Sequence, residues 1–446
     1  MSITGITHGD RALSSVASQP AGQEWVYQLA IPFQLSPTEV GLMVNIRRGS
    51  VRTVDLEIGS DLVIADRLDP GCDGPGCGDP SRGDSGHGDT GLADTGRVVP
   101  LSRGVEGPHP LSGRPTFFAR YPLIGGFAPL GARRADGSAH PHAGTGFSVS
   151  TVIGFPTDRH VGGHWELPEE ERYHAVEIQQ YRYDGAEFAL VESRAVALDD
   201  VLPDWRFCGP GLCSAVADGD DLLSPCSASQ GSNAARAGLL RWQRLDGVWR
   251  PAAFDPVTPA DRSYEPTVVR DVDGALLFTA RGGADIHAIR LWRQGDPHAP
   301  WENVLTVPAM RSETPVSLNC AADGTAYVAG SPHRERDSLG NALHTVEMRE
   351  SLLLWPLSED RRALLDPVVA RDCPAEFGPA PRGSIWRADH PVGLTALLAD
   401  QQWRHLLCYR VLARGECVSD HPVTARTGTH VEEVFTDGPV QPLWRF

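Results

Sequence analysis

The sequence predicts an all-β protein, namely a β-propeller of six blades, or of five if the first unit is a separate cap. Gly (47) and Pro (36) sum to 83 of 446 residues, about 19 %, against a usual sum of about 12 %. Turns are therefore dense, and the composition disfavours a helix bundle. Short apolar runs flank Asp-Gly pairs, which suit tight hairpin turns. The hairpins recur at intervals that fit the roughly 40–50 residues of a propeller blade.

Five of the Asp-Gly pairs share one setting, between two short apolar runs. They are Asp136-Gly137, Asp184-Gly185, Asp246-Gly247, Asp273-Gly274 and Asp323-Gly324. Residues 267–269 and 276–278 are the clearest predicted pair of strands. Helix signals are scarce, and only 167–173 is predicted as a short helix, with Pro168 in its first turn.

Six blade cores follow from this spacing and are predicted to form one domain over residues 1–446. They span 23–65, 115–158, 172–225, 236–298, 313–370 and 384–435. Blades around one axis leave a funnel-shaped site at the centre. A pair of β-sandwiches is the alternative architecture.

The stretch from 69 to 90 contains no aliphatic or aromatic residue, so it cannot contribute to a core. We expect a disordered Gly/Asp-rich insertion at about 69–96. Its Asp and Gly content leaves a calcium site as an alternative, although β-roll repeats that bind calcium also need apolar residues.

The charge excludes several function classes. Forty positive residues, all Arg, face 57 acidic ones, for a net charge of −17. Lys chemistry is excluded, and nucleic acid is disfavoured because phosphate binding needs a basic surface. No run approaches the about 20 apolar residues of a membrane span. The first residues do not resemble a signal peptide, so a cytoplasmic protein is expected, or a secreted one if a signal was removed.

The nine cysteines include two C-x4-C pairs, Cys72/Cys77 and Cys208/Cys213. Four such ligands could bind zinc, and a disulfide could form in an oxidising compartment. Free thiols are the expected state, and we expect neither a metal nor a cofactor.

Residues 263–281 carry the most specific pattern. Glu265 begins a predicted strand, Asp273-Gly274 forms the turn, and Arg281 ends the next strand. Because a hairpin's first strand begins where its second ends, Glu265 and Arg281 are predicted at one rim. An Arg fork there can bind a carboxylate through two hydrogen bonds. A structural ion pair is the alternative interpretation.

This interval resembles the sialidase (neuraminidase)-like β-propeller superfamily. The resemblance implies that Glu265 assists a nucleophile and that Arg281 binds the substrate carboxylate. Arg349 precedes the strand-like 352–355, as a second carboxylate-binding Arg does in the family. Arg120-Tyr121-Pro122 is similar to the family's F-R-I-P motif, which makes Arg120 the third.

The chain departs from the family at two positions and lacks full Asp-box (BNR) repeats. The region 386–393, where the family has its Tyr nucleophile, has Asp389-His390 instead, which could act as nucleophile or base. The region of the family's acid holds His140 and His142, which could transfer protons near neutral pH. They could equally be loop histidines, or bind a metal with His160 and His164.

Three functions remain open. The first is an exo-acting glycoside hydrolase of sialidase-like type on a carboxylated sugar, with Glu265 as part of the base system. The second is a polysaccharide lyase on uronic acids, with a histidine as the base. The third is a non-catalytic carbohydrate-binding propeller. The expected partner is thus a carbohydrate, and the sequence does not predict the oligomeric state.

Overall fold

A computed structural model describes most of the chain. The described residues are 2–8, 25–48, 57–65, 97–134, 136–158, 167–168, 171–196, 198–230, 234–282, 288–296, 299–307, 314–332, 349–381, 384–397, 402–414 and 426–438. The glycine-rich stretch 69–96, Cys72, Cys77, His160 and His164 lie outside these residues. Among the described residues, no helix is long and apolar enough to cross a membrane.

Six antiparallel sheets form from the described residues, and we number them as blades in chain order. Blade 1 contains β2 (Trp25–Ser36), β3 (Glu39–Arg48), β4 (Glu57–Ala65) and β5 (Arg97–Arg103). Blade 2 contains β6 (Val105–Pro108), β7 (Pro115–Ala128), β8 (Thr145–Pro156), β9 (His174–Tyr183) and β10 (Phe188–Ala195). Blade 3 contains β11 (Trp205–Pro210), β12 (Val216–Asp218), β13 (Asp221–Gln230), β14 (Arg236–Leu245) and β15 (Val248–Pro256).

The other three blades have four strands each. Blade 4 contains β16 (Tyr264–Arg270), β17 (Leu276–Arg281), β18 (Ile289–Gln294) and β19 (Glu302–Val307). Blade 5 contains β20 (Ser317–Cys320), β21 (Ala326–Gly330), β22 (Ser351–Pro356) and β23 (Val368–Asp372), followed by the short helix α1 (Cys373–Phe377). Blade 6 contains β24 (Ile385–Leu397), β25 (Trp403–Arg414), β26 (Gly428–Thr436) and β1 (Ile3–Ile6).

The blades form a closed ring. Strand β16 contacts β20, β20 contacts β24, β24 contacts β2, and β2 contacts β7, while blade 3 contacts both β7 and β16. The ring closes where β1, from the start of the chain, pairs with β26 as the outer strand of blade 6. The predicted propeller is therefore confirmed, with six sheets around its axis.

The core lies between neighbouring blades because each sheet buries apolar side chains on both faces. One cluster joins blades 5 and 6 and includes Tyr327, Leu354 and Tyr409, while another joins blades 2 and 3 and includes Phe147 and Trp242. Burying such aromatic side chains contributes about 1.5–3 kcal/mol each by area alone. Packing between sheets thus fixes the blades relative to the axis.

The predicted Asp-Gly turns are confirmed. Each of the five glycines has a positive φ, from 79° at Gly247 to 95° at Gly185. Four of the pairs connect adjacent strands, whereas Asp136-Gly137 lies inside the longer connection between β7 and β8. Gly accepts this conformation without a Cβ clash, which explains why these dipeptides locate the hairpins.

Two sequence predictions about local structure are wrong. The predicted blade cores 172–225 and 236–298 each join strands of two blades, since β9 and β10 belong to blade 2, and β14 and β15 to blade 3. Hairpin spacing gives no signal for which strand begins a blade. The predicted helix at 167–173 is not an α-helix at its described residues, and the α-helix lies at Cys373–Phe377, after an Asp372 N-cap.

Candidate active site

Three consecutive blades bring their polar residues to one rim of the ring. Strand β16 begins beside Glu265, and Tyr264 pairs with Arg281 at the end of β17. Arg349 lies just before β22, which has the same direction as β20, the innermost strand of blade 5. The Arg349 carbonyl oxygen accepts a hydrogen bond from the backbone N–H of Ala388 in β24, at 2.5 Å. This contact connects blade 5 to blade 6 at the rim.

We call seven residues of this rim the arginine cluster. They are Glu265, Arg281, Arg349, Arg387, Asp389, His390 and Arg410. The set holds four guanidinium groups, two carboxylates and one imidazole. Their side chains are 27 % exposed at Glu265 and 26 % at Arg281, but only 3 % at Arg349 and 0 % at Asp389. The cluster is therefore open at its blade 4 side and closed beneath.

Asp389 is the centre of the cluster. Arg349 Nη1 and Arg410 Nε each donate to its carboxylate at 2.6 Å, and Arg387 Nη2 donates at 3.2 Å. Burial alone would raise the pKa of Asp389, but Arg410, His390 and Arg387 outweigh burial and hold this pKa well below its usual range. Asp389 is therefore an ionised, fully buried carboxylate that accepts hydrogen bonds and donates none.

His390 connects the buried carboxylate to the exposed one. Its Nδ1 lies 2.9 Å from Asp389 Oδ1, and its Nε2 lies 3.6 Å from Glu265 Oε1. Because an ionised carboxylate only accepts, Nδ1 must carry the proton that is donated to Asp389. When His390 is neutral, its lone pair is therefore on Nε2, on the side of Glu265; as an imidazolium it donates from both ring nitrogens, and its charge then contributes to the low pKa of Glu265 and Asp389. An imidazole oriented in this way can act as a base.

Glu265 accepts a hydrogen bond from Arg281 Nη1 at 2.9 Å. Burial would raise the pKa of Glu265, but Arg281 and His390 outweigh burial and hold it well below its usual range. Glu265 is therefore a carboxylate, suited to stabilising positive charge rather than to donating a proton.

Arg349 experiences the positive charge of its neighbours. Burial lowers its pKa to about 10, Asp389 opposes this shift, and Arg281 and Arg410 add to it. A further negative charge bound at the cluster would reduce this repulsion. The electrostatics of the cluster therefore favour an anionic ligand.

The backbone is strained at the two residues that face each other. Glu265 has φ +47° and His390 has φ +55°, and the strand pairing shifts register at both positions. A left-handed φ is uncommon for Glu and His residues. His390 also precedes Pro391, and the backbone of a residue before a proline is restricted further. Outliers of this kind concentrate at functional sites.

The structure does not bring three predicted site residues to the cluster. Arg120, on β7, donates from Nε to Glu177 at 2.9 Å and from Nη1 to the Arg103 carbonyl at 3.0 Å. His140 and His142 lie on the connection between β7 and β8, with their ring centroids 5.5 Å apart. Arg120 therefore pairs with an internal acid in blade 2, and both histidines belong to a different part of the molecule.

Two members of the cluster, Arg387 and Arg410, were not predicted from the sequence. Arg387 lies two residues before Asp389 on the same strand, so strand alternation alone could have placed both on one face. Arg410 lies directly opposite Asp389 on β25. Only strand pairing across blade 6 reveals that contact, and no local pattern marks it.

The described residues contain no group of His, Cys, Asp or Glu side chains arranged to hold a metal ion. Cys208 and Cys213 are free thiols in the structure. A cavity of about 60 Å³ between blades 3 and 4, lined in part by Arg241 and Arg270, includes no residue of the arginine cluster. The cluster is identified by its side-chain chemistry rather than by this cavity.

No family model and no curated protein matches the chain. Several solved structures, in contrast, are similar to the chain. A mutant of Trypanosoma rangeli sialidase displaying trans-sialidase activity matches with a TM-score of 0.53 and 10 % identity, over 92 % of this chain and 54 % of that one. The chain thus spans about half the length of that protein.

Two further structures are similar. A Dyadobacter fermentans protein of unknown function matches with a TM-score of 0.52 and 12 % identity, over 97 % of this chain and 99 % of that one. A Hadza microbial sialidase matches with a TM-score of 0.50 and 11 % identity, over 96 % and 67 %. The chain therefore has a sialidase-like propeller fold, as the resemblance of residues 263–281 predicts.

Proposed function

We propose that the protein is an exo-acting glycoside hydrolase that cleaves a carboxylated sugar at the arginine cluster. The observation that carries this proposal is the convergence of Glu265, Arg281, Arg349 and His390 from three blades. Sugar-cleaving enzymes need a carboxylate beside an oxocarbenium-like transition state and a group that transfers protons. Glu265 and His390 supply these two groups within 3.6 Å of each other.

The sugar carboxylate binds on the open side of the cluster. Arg281 is the most exposed of its arginines for which side-chain contacts are described, and its planar fork suits a carboxylate. Arg349 and Arg387 hold Asp389 below it. The repulsion among Arg281, Arg349 and Arg410 supports an anionic rather than a neutral sugar.

His390 is the proposed base. In the reaction, the bond from the anomeric carbon to the leaving oxygen breaks, and a water oxygen forms the new bond. One proton of that water passes to Nε2 of His390, and the leaving oxygen takes a proton from solvent. Glu265 stabilises the positive charge of the sugar ring in the transition state.

The test is turnover of fluorogenic glycosides of sialic acid, uronic acids and neutral sugars by the full chain. We expect turnover of a carboxylated sugar, and its loss in Arg281→Ala while the folded state is retained. Arg293→Ala is the matched control because Arg293 lies in the same blade and pairs with the half-exposed Asp273. Unchanged turnover in Arg281→Ala, or no turnover of any carboxylated glycoside by the wild type, would contradict the proposal.

A uronate-specific lyase is the second candidate. It is favoured by one observation, the orientation of His390 by a buried carboxylate, because such a base can also remove a proton from carbon. The products distinguish the two reactions. A lyase yields an unsaturated uronate that absorbs in the ultraviolet, whereas hydrolysis yields a product without this absorbance.

A further inference from the structure

A second polar site lies between blades 2 and 3, away from the arginine cluster. His142, on the β7–β8 connection, packs against Trp249 of β15 with ring centroids 5.3 Å apart and planes at 76°. Arg244 of β14 pairs directly with Trp249 across the hairpin. Directly paired residues point to the same face of a sheet, so Arg244, Trp249 and His142 adjoin one another.

Each of these three side chains has a buried polar atom that makes no hydrogen bond to any described residue. The atoms are Nε of Arg244, Nε1 of Trp249 and Nδ1 of His142. Trp249 is only 1 % exposed. A guanidinium and an indole N–H can only donate. Buried donors without an acceptor are rare in folded proteins and costly in free energy, so Arg244 Nε and Trp249 Nε1 indicate a missing acceptor, and His142 Nδ1 adds a third donor when it carries the ring proton.

The local charge is positive. Burial lowers the pKa of Arg244, and no described carboxylate forms an ion pair with it. Burial also lowers the pKa of His142, and Arg244 and His140 add to this shift, while Asp220 and the backbone of Pro141 oppose it. Asp220 forms an ion pair with Arg134, whose Nε donates a hydrogen bond to Asp220 Oδ1 at 2.8 Å.

We propose that Arg244, Trp249 and His142 form a binding site for an oxyanion, that is, a carboxylate, sulfate or phosphate group. Such a group offers several acceptor atoms to donors that have none, and its charge complements that of Arg244. The site does not depend on the activity proposed for the arginine cluster, because its residues come from blades 2 and 3 alone.

The test follows the indole N–H of Trp249 by NMR in the full chain labelled with ¹⁵N-tryptophan. The resonance is identified as the one lost in Trp249→Phe. Sulfate, phosphate and acetate are titrated separately, against sodium chloride at matched ionic strength. We expect at least one of the three to shift this resonance saturably, and chloride to leave it in place. The anion that shifts it defines the group that the site takes.

Variants at Arg244, a control at Arg250 and the Arg281→Ala variant show where the anion binds. In Arg244→Gln, and in Arg244→Lys if the first does not fold, we expect an affinity at least about tenfold weaker, as for a lost charge-assisted hydrogen bond. Arg250→Gln is the control, since Arg250 is exposed and next to Trp249. In Arg281→Ala the Trp249 resonance should shift with the same anion affinity as in the wild type, which separates this site from the arginine cluster. No saturable shift with any anion, or an equal shift in the Arg244 variants, would overturn the proposal.

Discussion

The hairpin between β16 and β17 has a residue with positive φ at each end, a glycine at one end and a glutamate at the other. At one end the chain turns at Gly274, with φ +88°. At the other, Glu265 adopts φ +47°. A Cβ added to Gly274 would meet no heavy atom within 4 Å, so its conformation alone calls for glycine. At Glu265 a large side chain adopts the uncommon conformation despite its cost.

The comparison extends around the ring. Gly324 turns the corresponding hairpin of blade 5 with φ +85°, whereas His390 of blade 6 adopts φ +55° opposite Glu265. Left-handed φ costs roughly 1–2 kcal/mol for a residue with a Cβ. At these two turns glycine takes the positive φ, whereas at the cluster Glu265 and His390 take it with side chains that the site uses; the hairpin turn at Asp246, with φ +52°, is an exception to this contrast.

The largest effect is expected on catalysis. Glu265→Gln removes the charge with little change of shape, and His390→Asn removes the base while keeping a residue type that tolerates a positive φ. Turnover should fall by about 10²–10⁴-fold in His390→Asn, the range for a group that transfers protons, and by about 10²–10³-fold in Glu265→Gln, the range for one group that stabilises transition-state charge. Steady-state kinetics of both variants measure this. Asp273→Asn, at the turn end of the same hairpin, is the control and should keep the wild-type rate. Equal losses at both ends would contradict the contrast.

The second effect concerns stability. Asp389→Ala leaves Arg349 buried without its carboxylate, so we expect a loss of about 3–5 kcal/mol in the free energy of unfolding. Arg362→Ala breaks the pair with Glu302, whose side chains are 55 % and 60 % exposed, and should cost less than about 1 kcal/mol. Urea unfolding of both variants gives the comparison. Similar losses would mean that the buried network does not stabilise the rim.

The third effect is a dependence of stability on pH. The folded pKa of Asp389 lies below its usual value, so its ionisation stabilises the fold fully above the unfolded pKa of about 3.9. That contribution is lost as pH falls from about 4 towards the folded pKa. Unfolding measured between pH 2.5 and 6 should therefore show a shallower acid slope in Asp389→Asn than in the wild type. Parallel slopes would argue against the low pKa.

The smallest effect isolates the backbone. Gly274→Ala should destabilise the fold by about 1 kcal/mol, because Ala resists a positive φ. At the cluster, Glu265→Gly should be more stable than Glu265→Ala by about 1 kcal/mol, since both lose the carboxylate and only Gly relieves the strain. The order at Glu265 reverses the usual preference for Ala. Thermal unfolding of the three variants is sufficient, and a more stable Ala at position 265 would remove the claim of strain.

Local sequence predicted most of what depends on local geometry. The Asp-Gly turns follow from the backbone freedom of Gly, and the proximity of Glu265 and Arg281 follows from one hairpin. Blade boundaries did not follow, because hairpins look alike whether they lie within or at the edge of a blade. Arg410 could not be predicted either, since it meets Asp389 only through the register of β24 and β25. Arg120 had a motif similar to the family's, but its neighbour Glu177 on β9 binds it.

The closure of the ring by β1 affects how the protein is made. Strand β1 pairs with β26, and Ser2 donates a backbone N–H to Asp437 at 2.6 Å. At about 5–20 residues per second, a ribosome needs roughly 20–90 s to synthesise the chain between these two strands. Throughout that time the first strand has no partner, and the last inter-blade surfaces stay exposed. Assembly of the arginine cluster therefore requires that the strands of blade 6, β24 and β25, have been synthesised.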